Sequence, residues 1–345
     1  MALLKRSLGR ALRVVQVLMV VLVLIVAWSW MGWWLENRAM ERFVAEGVHR
    51  APTDTLDLGI MPTELVESSG LAVSRAYPGV LWSHNDSGDG PLIYQMDTTA
   101  SLGQVFAVAD AQAFDWESMD IGPCPHLEAV GDPPEWCIYA ADVGDNERQR
   151  DTLTIYVVPE PDPQVESASV QSLAIIRYGY SGASYDVEAL AVTPEGDLVI
   201  VTKGRTPDIL LFHVPAEDIA AAVRAGEVMQ LSGGVRLPIE PEWGVGRVTT
   251  GASVSPDGTL LAVRTYTEIY FFRWPVGPTP EQVAPPCFMG EYEPQGEAVA
   301  FWTDGRLLLS SETWTDRPGH LLALSCAGVN AAWPQSTPPA SLRSR

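Results

Sequence analysis

The sequence predicts an all-β protein: a β-propeller of five blades, with six as the alternative, set behind an N-terminal transmembrane helix. Three observations carry this expectation. A segment that begins polar and becomes apolar recurs five times; each copy is followed by a second and usually a third apolar run; and residues 14–34 contain no charged side chain.

The elements follow in chain order. Residues 1–13 carry Lys5, Arg6, Arg10 and Arg13 and read as a basic cytoplasmic segment. Residues 14–34, "VVQVLMVVLVLIVAWSWMGWW", match the roughly 20 apolar residues that span a bilayer as a helix. The basic flank before them and Glu36 and Glu41 after them place the N-terminus in the cytoplasm and the rest of the chain outside, and Trp28, Trp30, Trp33 and Trp34 sit where aromatic rings favour the interface. No small-residue cleavage pattern follows, so the segment reads as an uncleaved signal anchor. Residues 35–55 read as a helical stalk ending at Pro52, residues 56–330 as the propeller, and residues 331–345 as a disordered tail rich in Pro and Ser.

Within the propeller the repeated first strands are "ESSGLAV" from Glu67, "DWESMDI" from Asp115, "DVEALAV" from Asp186, "VTTGASV" from Val248 and "QGEAVAF" from Gln295. Second strands follow, ending at Asp86, Asp145, Lys203, Tyr266 and Glu312, and in three units a turn signal separates the pair: "TPEGD", "SPDGT" and "TDGR". The spacing of the units is uneven, roughly 45 to 70 residues, as in propellers. The fifth unit lacks a strand that the early run "TLDLGIM" can supply, which closes the ring with the start of the domain.

Beyond residue 50 the chain holds 40 acidic and 15 basic side chains, a net charge of about −25. Such a field repels nucleic acid and anionic lipid and favours cations. The four cysteines all lie beyond the apolar segment and fit an oxidising compartment; of three possible pairings, 124 with 137 and 287 with 326 is preferred. None has zinc-ligand spacing.

The propeller topology gathers the acids. Inner strands begin, and their partners end, at one rim of the central channel. Alignment therefore places Glu67, Asp115, Asp186 and Gln295 in one ring; Ser69, Glu117, Glu188, Thr250 and Glu297 in a second; and Asn85, Asp142, Lys203, Thr265 and Glu312 at the strand ends, with Arg264 adjoining. Carboxylates facing one another raise each other's pKa, and a divalent cation relieves them. An oxygen-only donor set of irregular geometry suits Ca2+, so Glu67, Asn85, Asp115, Glu117, Asp142, Asp186, Glu188, Glu297 and Glu312 are candidate metal ligands. The stretch "SHNDSGDG", residues 83–90, resembles the opening of an EF-hand loop, but Met96 stands where the bidentate Glu belongs; a polar turn or a contribution to the channel mouth remains. "DVGDNERQR", residues 142–150, is open between an ion loop and a charged connection. Lys203 is the single lysine outside residues 1–13, and its compact ammonium could grip a phosphate or carboxylate.

At "YDVEALAV", "PQGEAVAF", "ESSGLAV" and "SHND" the chain resembles a bacterial group of propellers related to the β-propeller phytases and phytase-like esterase domains, and in layout it is similar to the lactonase propellers. The resemblance implies calcium at the channel mouth and basic residues facing an ester. Glu117, Glu188 and Glu297 match the acid of the inner-strand motif, whereas Ser69 and Thr250 replace it in two units. Two functions are expected. One is a calcium-dependent hydrolase of a small-molecule ester or phosphoester, with a rim Glu (Glu188 or Glu297) as base and Lys203 or Arg264 on the anion. The other is a non-catalytic ligand- or protein-binding propeller with a structural ion.

Overall fold

A computed structural model describes residues 2–126, 134–166, 168–290, 293–302 and 304–329. The chain divides into two compact units, Met1–His49 and Arg50–Arg345. The first is a single α-helix, Ala2–Gly47, followed by a 3-10 turn that runs to Arg50. Among the described residues no helix is long and apolar enough to cross a membrane. The expected span, residues 14–34, lies partly outside the described side chains, and from 18 to 26 its apolar side chains are exposed. The expected disordered tail also falls outside the described residues. The helix expected to stop at Pro52 ends at Gly47, a 3-10 turn follows to Arg50, and the first strand begins at Asp54.

The second unit is a propeller of five sheets, each built on four antiparallel strands. Their inner strands are Ser68–Val73, Trp116–Pro123, Val187–Val192, Thr249–Val254 and Gln295–Phe301, here blades I to V, and each neighbours the next around the ring. Blade V takes its outermost strand, Asp54–Ile60, from the start of the unit, paired antiparallel to His320–Ser325. The expected closure is therefore present, and the count is five. Surplus length in the second and third units makes no sixth blade. It returns strands to earlier blades: Ser169–Val170 adds in parallel to the edge of blade I, and Val228–Leu231 to the edge of blade II.

The second of these returns runs through a helix, Ala216–Ala225, whose ends are written in the sequence. Pro215 precedes it, Glu217 and Asp218 occupy its first turn and Arg224 its last, complementing the helix dipole. Gly226, in the left-handed conformation at φ 68°, ends it by donating to the Ala222 and Val223 carbonyls.

Alternation along the strands explains how the sheets stack. In Leu198–Thr202, Leu198 and Ile200 pack toward blade II while Val199 and Val201 pack toward blade IV. Five apolar clusters result, one at each junction between neighbouring blades. Strands buried on both faces need continuous apolar runs, which is why these strands lack the usual polar alternation. Both disulfides form as expected, Cys124–Cys137 within blade II and Cys287–Cys326 between blades IV and V.

Candidate metal centre at the channel mouth

Each inner strand carries a β-bulge near its start, between Ser68 and Gly70, Trp116 and Ser118, Val187 and Ala189, Thr249 and Gly251, and Gly296 and Val299. The second sequence ring, Ser69, Glu117, Glu188, Thr250 and Glu297, lies at these bulges. A bulge re-aims the side chain it frees from the ladder. Ser69 and Thr250 use the freedom to donate to the bulge carbonyl of the following blade, Ser69 to Glu117 at 2.8 Å and Thr250 to Glu297 at 2.9 Å. The three glutamates instead meet in the channel, each almost fully buried. Burial raises all three pKa values. Glu188 adds to the rise at Glu117, and Glu312 and Glu188 to that at Glu297, so the carboxylates crowd one space from blades II, III and V.

The third sequence ring slips by one residue in three blades. Ser68 pairs with Asn85, Trp116 with Asp142 and Thr249 with Thr265, so the residues opposite Glu67, Asp115 and Val248, one position before these strands, are Asp86, Val143 and Tyr266, just as Lys203 and Glu312 stand opposite Asp186 and Gln295. A shift of one turns a strand side chain to the other face. Asn85 is accordingly occupied with the turn: it accepts from the Glu67 N–H, and its amide donates to the Glu64 carbonyl at 2.7 Å and to Asp89 at 2.8 Å. Asp142 accepts from the Asp115 N–H and pairs with Arg150 at 2.9 Å, while the Thr265 hydroxyl bonds the Glu268 carbonyl. Asp142 touches the carboxylate group only through its charge, which adds to the rise that burial gives Asp115.

Asp86 joins the group directly. Its carboxylate oxygen and those of Asp115 and Glu117 lie within 4.8 Å of one another. Asp115 is raised to about 6 by burial first and then by Asp86 and Asp186, against the pull of Arg150. Gly144 closes over the pair from blade II. A Cβ there would stand 2.6 Å from Glu117 Oε1 and collide with Asp115 Oδ2, so the backbone's close approach requires glycine.

The other acids form two further groups. Glu188 pairs with Lys203 at 2.5 Å; burial still lifts it to about 7. Burial pulls the Lys203 ammonium down, but the charges of Glu188 and Glu117 outweigh this and hold it above its ordinary value. Glu297 and Glu312 share the Gln295 amide, at 3.0 and 2.6 Å, and Glu312 is raised to about 8 by burial, Asp86 and Glu67. The Tyr266 hydroxyl belongs to the same space: burial, Glu297 and Glu188 push its pKa up.

Several expected ligands have other work. Asp186 holds Arg205 and the Asp145 N–H, and Glu67 stays exposed at the edge, raised by burial, Asp86 and Asp89. Arg264, expected to grip an anion, is buried between blades IV and V, donating to the Ala298 and Ser310 carbonyls and pairing with Glu293. Lys203, expected in the same role, is held by Glu188. Residues 142–150 form a charged connection: Asp145 accepts from the Gln149 and Arg150 N–H groups, and the Arg150 guanidinium donates to the Gly144 carbonyl. In "SHNDSGDG" only Asp86 joins the channel. His84 is buried edge-on against Trp116, with ring centroids 5.5 Å apart, and burial keeps its pKa low.

No family model matches the sequence, and no curated protein matches it. Among solved structures the chain is similar to the PQQ-bound form of aldose sugar dehydrogenase from Streptomyces coelicolor. That match is 12% identical, with a TM-score of 0.41 over 80% of this chain and 100% of that one. So distant a likeness says nothing about the site, and it does not support the expected kinship with phytase-like propellers. The chain is a five-bladed β-propeller whose channel mouth gathers carboxylates from four blades.

Proposed function

We propose that this propeller binds a divalent cation at its channel mouth through Asp86, Asp115 and Glu117, and that calcium suits the site. The observation that carries the proposal is the convergence of three carboxylate oxygens within 4.8 Å, beside Glu188 and Glu297, whose pKa values are raised by burial first and then by neighbouring carboxylates. An all-oxygen donor set fits a hard ion, and its irregular arrangement fits calcium better than magnesium. The domain works outside the membrane, held by residues 14–34; two disulfides support the oxidising compartment.

Ester hydrolysis is the second reading, favoured by the half-buried state of Asp86 and Asp115, which keeps the triad open to solvent. A bound divalent ion supplies Lewis-acid polarisation of an ester oxygen and a more acidic bound water. Glu297, raised by burial and then by Glu312 and Glu188 and not one of the three proposed ligands, is the candidate general base. Glu188, pinned by Lys203, orients charge instead. With Lys203 and Arg264 both engaged, a carboxylic ester or lactone suits the mouth better than a phosphoester.

Isothermal titration of the purified protein with CaCl2 after chelation tests the first reading. Saturable binding that falls tenfold or more in Asp115→Asn and Glu117→Gln supports it; equal binding in both variants refutes it. Turnover of carboxylester, lactone and phosphomonoester panels with and without calcium decides the second.

A further inference from the structure

A cleft of about 610 Å3 opens beside blade II, outside the carboxylate triad. Its floor is one face of that sheet: Thr154 pairs with Arg177 and Tyr156 with Ile175 across adjacent strands, and alternation puts all four on the same side. Its wall is the connection entering blade II, which presents every second residue, Asp110, Gln112 and Phe114.

This wall is fixed. The Gln112 N–H donates to the Tyr156 hydroxyl at 3.1 Å, the Trp116 indole donates to the Gln112 carbonyl at 3.0 Å, and Asp110 accepts from the Ser172 N–H at 3.0 Å. Arg150 forms one corner, anchored on Asp142, with its guanidinium 5.8 Å above the Phe114 ring.

Two features of the cleft lack a structural explanation. Phe114 is 65% exposed although it precedes one of the most buried strands in the fold. The Arg177 guanidinium lines the cleft without a hydrogen bond or ion pair among the described residues, in a domain with acids in large excess. Of the two acids that line the cleft, Asp142 is paired with Arg150 and Asp110 already accepts a backbone N–H.

We propose that this cleft binds a small organic anion, a carboxylate or phosphate monoester carrying a flat apolar group, with the anion on Arg177 and the flat group against Phe114. A planar guanidinium matches either anion with two parallel hydrogen bonds. The Thr154 and Tyr156 hydroxyls stand beside it on the same face, and the volume falls in the range of small-molecule sites. The cleft assigns to Arg177 the anion-holding role that sequence reading gave to Lys203 and Arg264.

The test is titration of the full chain, followed calorimetrically, with benzoate, phenyl phosphate, acetate and inorganic phosphate. Saturable binding of benzoate or phenyl phosphate is expected, stronger than that of the matching small anion; which of the two binds more tightly separates carboxylate from phosphate ligands. Arg177→Gln weakens it about tenfold or more, and Phe114→Ala weakens the aryl ligands ~5-fold while leaving acetate and phosphate unchanged. Both residues are exposed, so the variants keep the wild-type Tm. No saturable binding of any of the four anions, or affinities unchanged in Arg177→Gln, overturns the proposal. Glu117→Gln is expected to leave anion binding intact, which keeps this result separate from the cation site.

Discussion

Raising the pH from 5 to 8 without divalent cations destabilises the propeller, and Glu188 sets a measurable part of the effect. Its carboxyl is 2% exposed; burial, opposed by Lys203 and assisted by Asp186, lifts it from 4.5 to about 7. A carboxyl raised in the folded state binds more protons there than in the unfolded chain, so its contribution is complete below the unfolded value and is lost as the pH climbs through 7. At about 1.4 kcal/mol per decade, roughly 2–3 kcal/mol disappears between pH 5 and 8. His84, buried and held low, acts in the opposite sense below 6.5, so the comparison is made against Glu188→Gln, in which His84 is unaltered. Thermal unfolding by circular dichroism in EDTA reads the effect: over that interval the wild-type Tm falls further than that of the variant, by roughly 3–5 °C. Calcium raises the wild-type Tm more at pH 8 than at pH 5, because only deprotonated carboxylates bind it. Parallel pH profiles for the two proteins would show that Glu188 ionises normally and would refute the crowding argument.

Lys203→Met leaves Glu188 buried without its partner and lowers stability by about 3–5 kcal/mol in chelator; denaturant unfolding checks this, and added calcium recovers part of the loss. Gly144→Ala drives a methyl group into Asp115 and Glu117 and weakens calcium binding at least ~10-fold, read by titration. Replacing Cys287 and Cys326 together by Ser releases a link spanning 39 residues and lowers the midpoint of chemical unfolding by the equivalent of about 4 kcal/mol. Deletion through Ile60 removes the outermost strand of blade V and abolishes cooperative unfolding, which calorimetry detects.

The blades were legible because burial on both faces demands long apolar runs, and turns such as "SPDGT" mark the places between them. The closing strand was legible for the same reason: blade V was one strand short, and 54–60 was apolar enough to complete it. The bulge ring was visible as a column of aligned residues, although nothing in the letters reveals that the backbone bulges there. The slip at the strand ends has a different origin, since the bulge is present in all five blades and the slip in three. Asn85, Asp142 and Thr265 pair with Ser68, Trp116 and Thr249, one position inside Glu67, Asp115 and Val248, so the strand-end partners of the outer ring are Asp86, Val143 and Tyr266, and the letters alone do not fix that register. Arg264 misled for a related reason: its place in sequence beside the rim does not reveal that its side chain turns between blades to Glu293.

The same backbone device recurs five times around the ring, yet its outcome depends on a single side chain. A short hydroxyl fastens one blade to the next; a longer acid reaches the axis and adds a negative charge there. Changes in ion affinity can therefore arise one letter at a time, at positions that leave the hydrophobic junctions untouched. Ser69 and Thr250 are the two sites where the number of axial charges can still be increased, at the expense of one inter-blade hydrogen bond each.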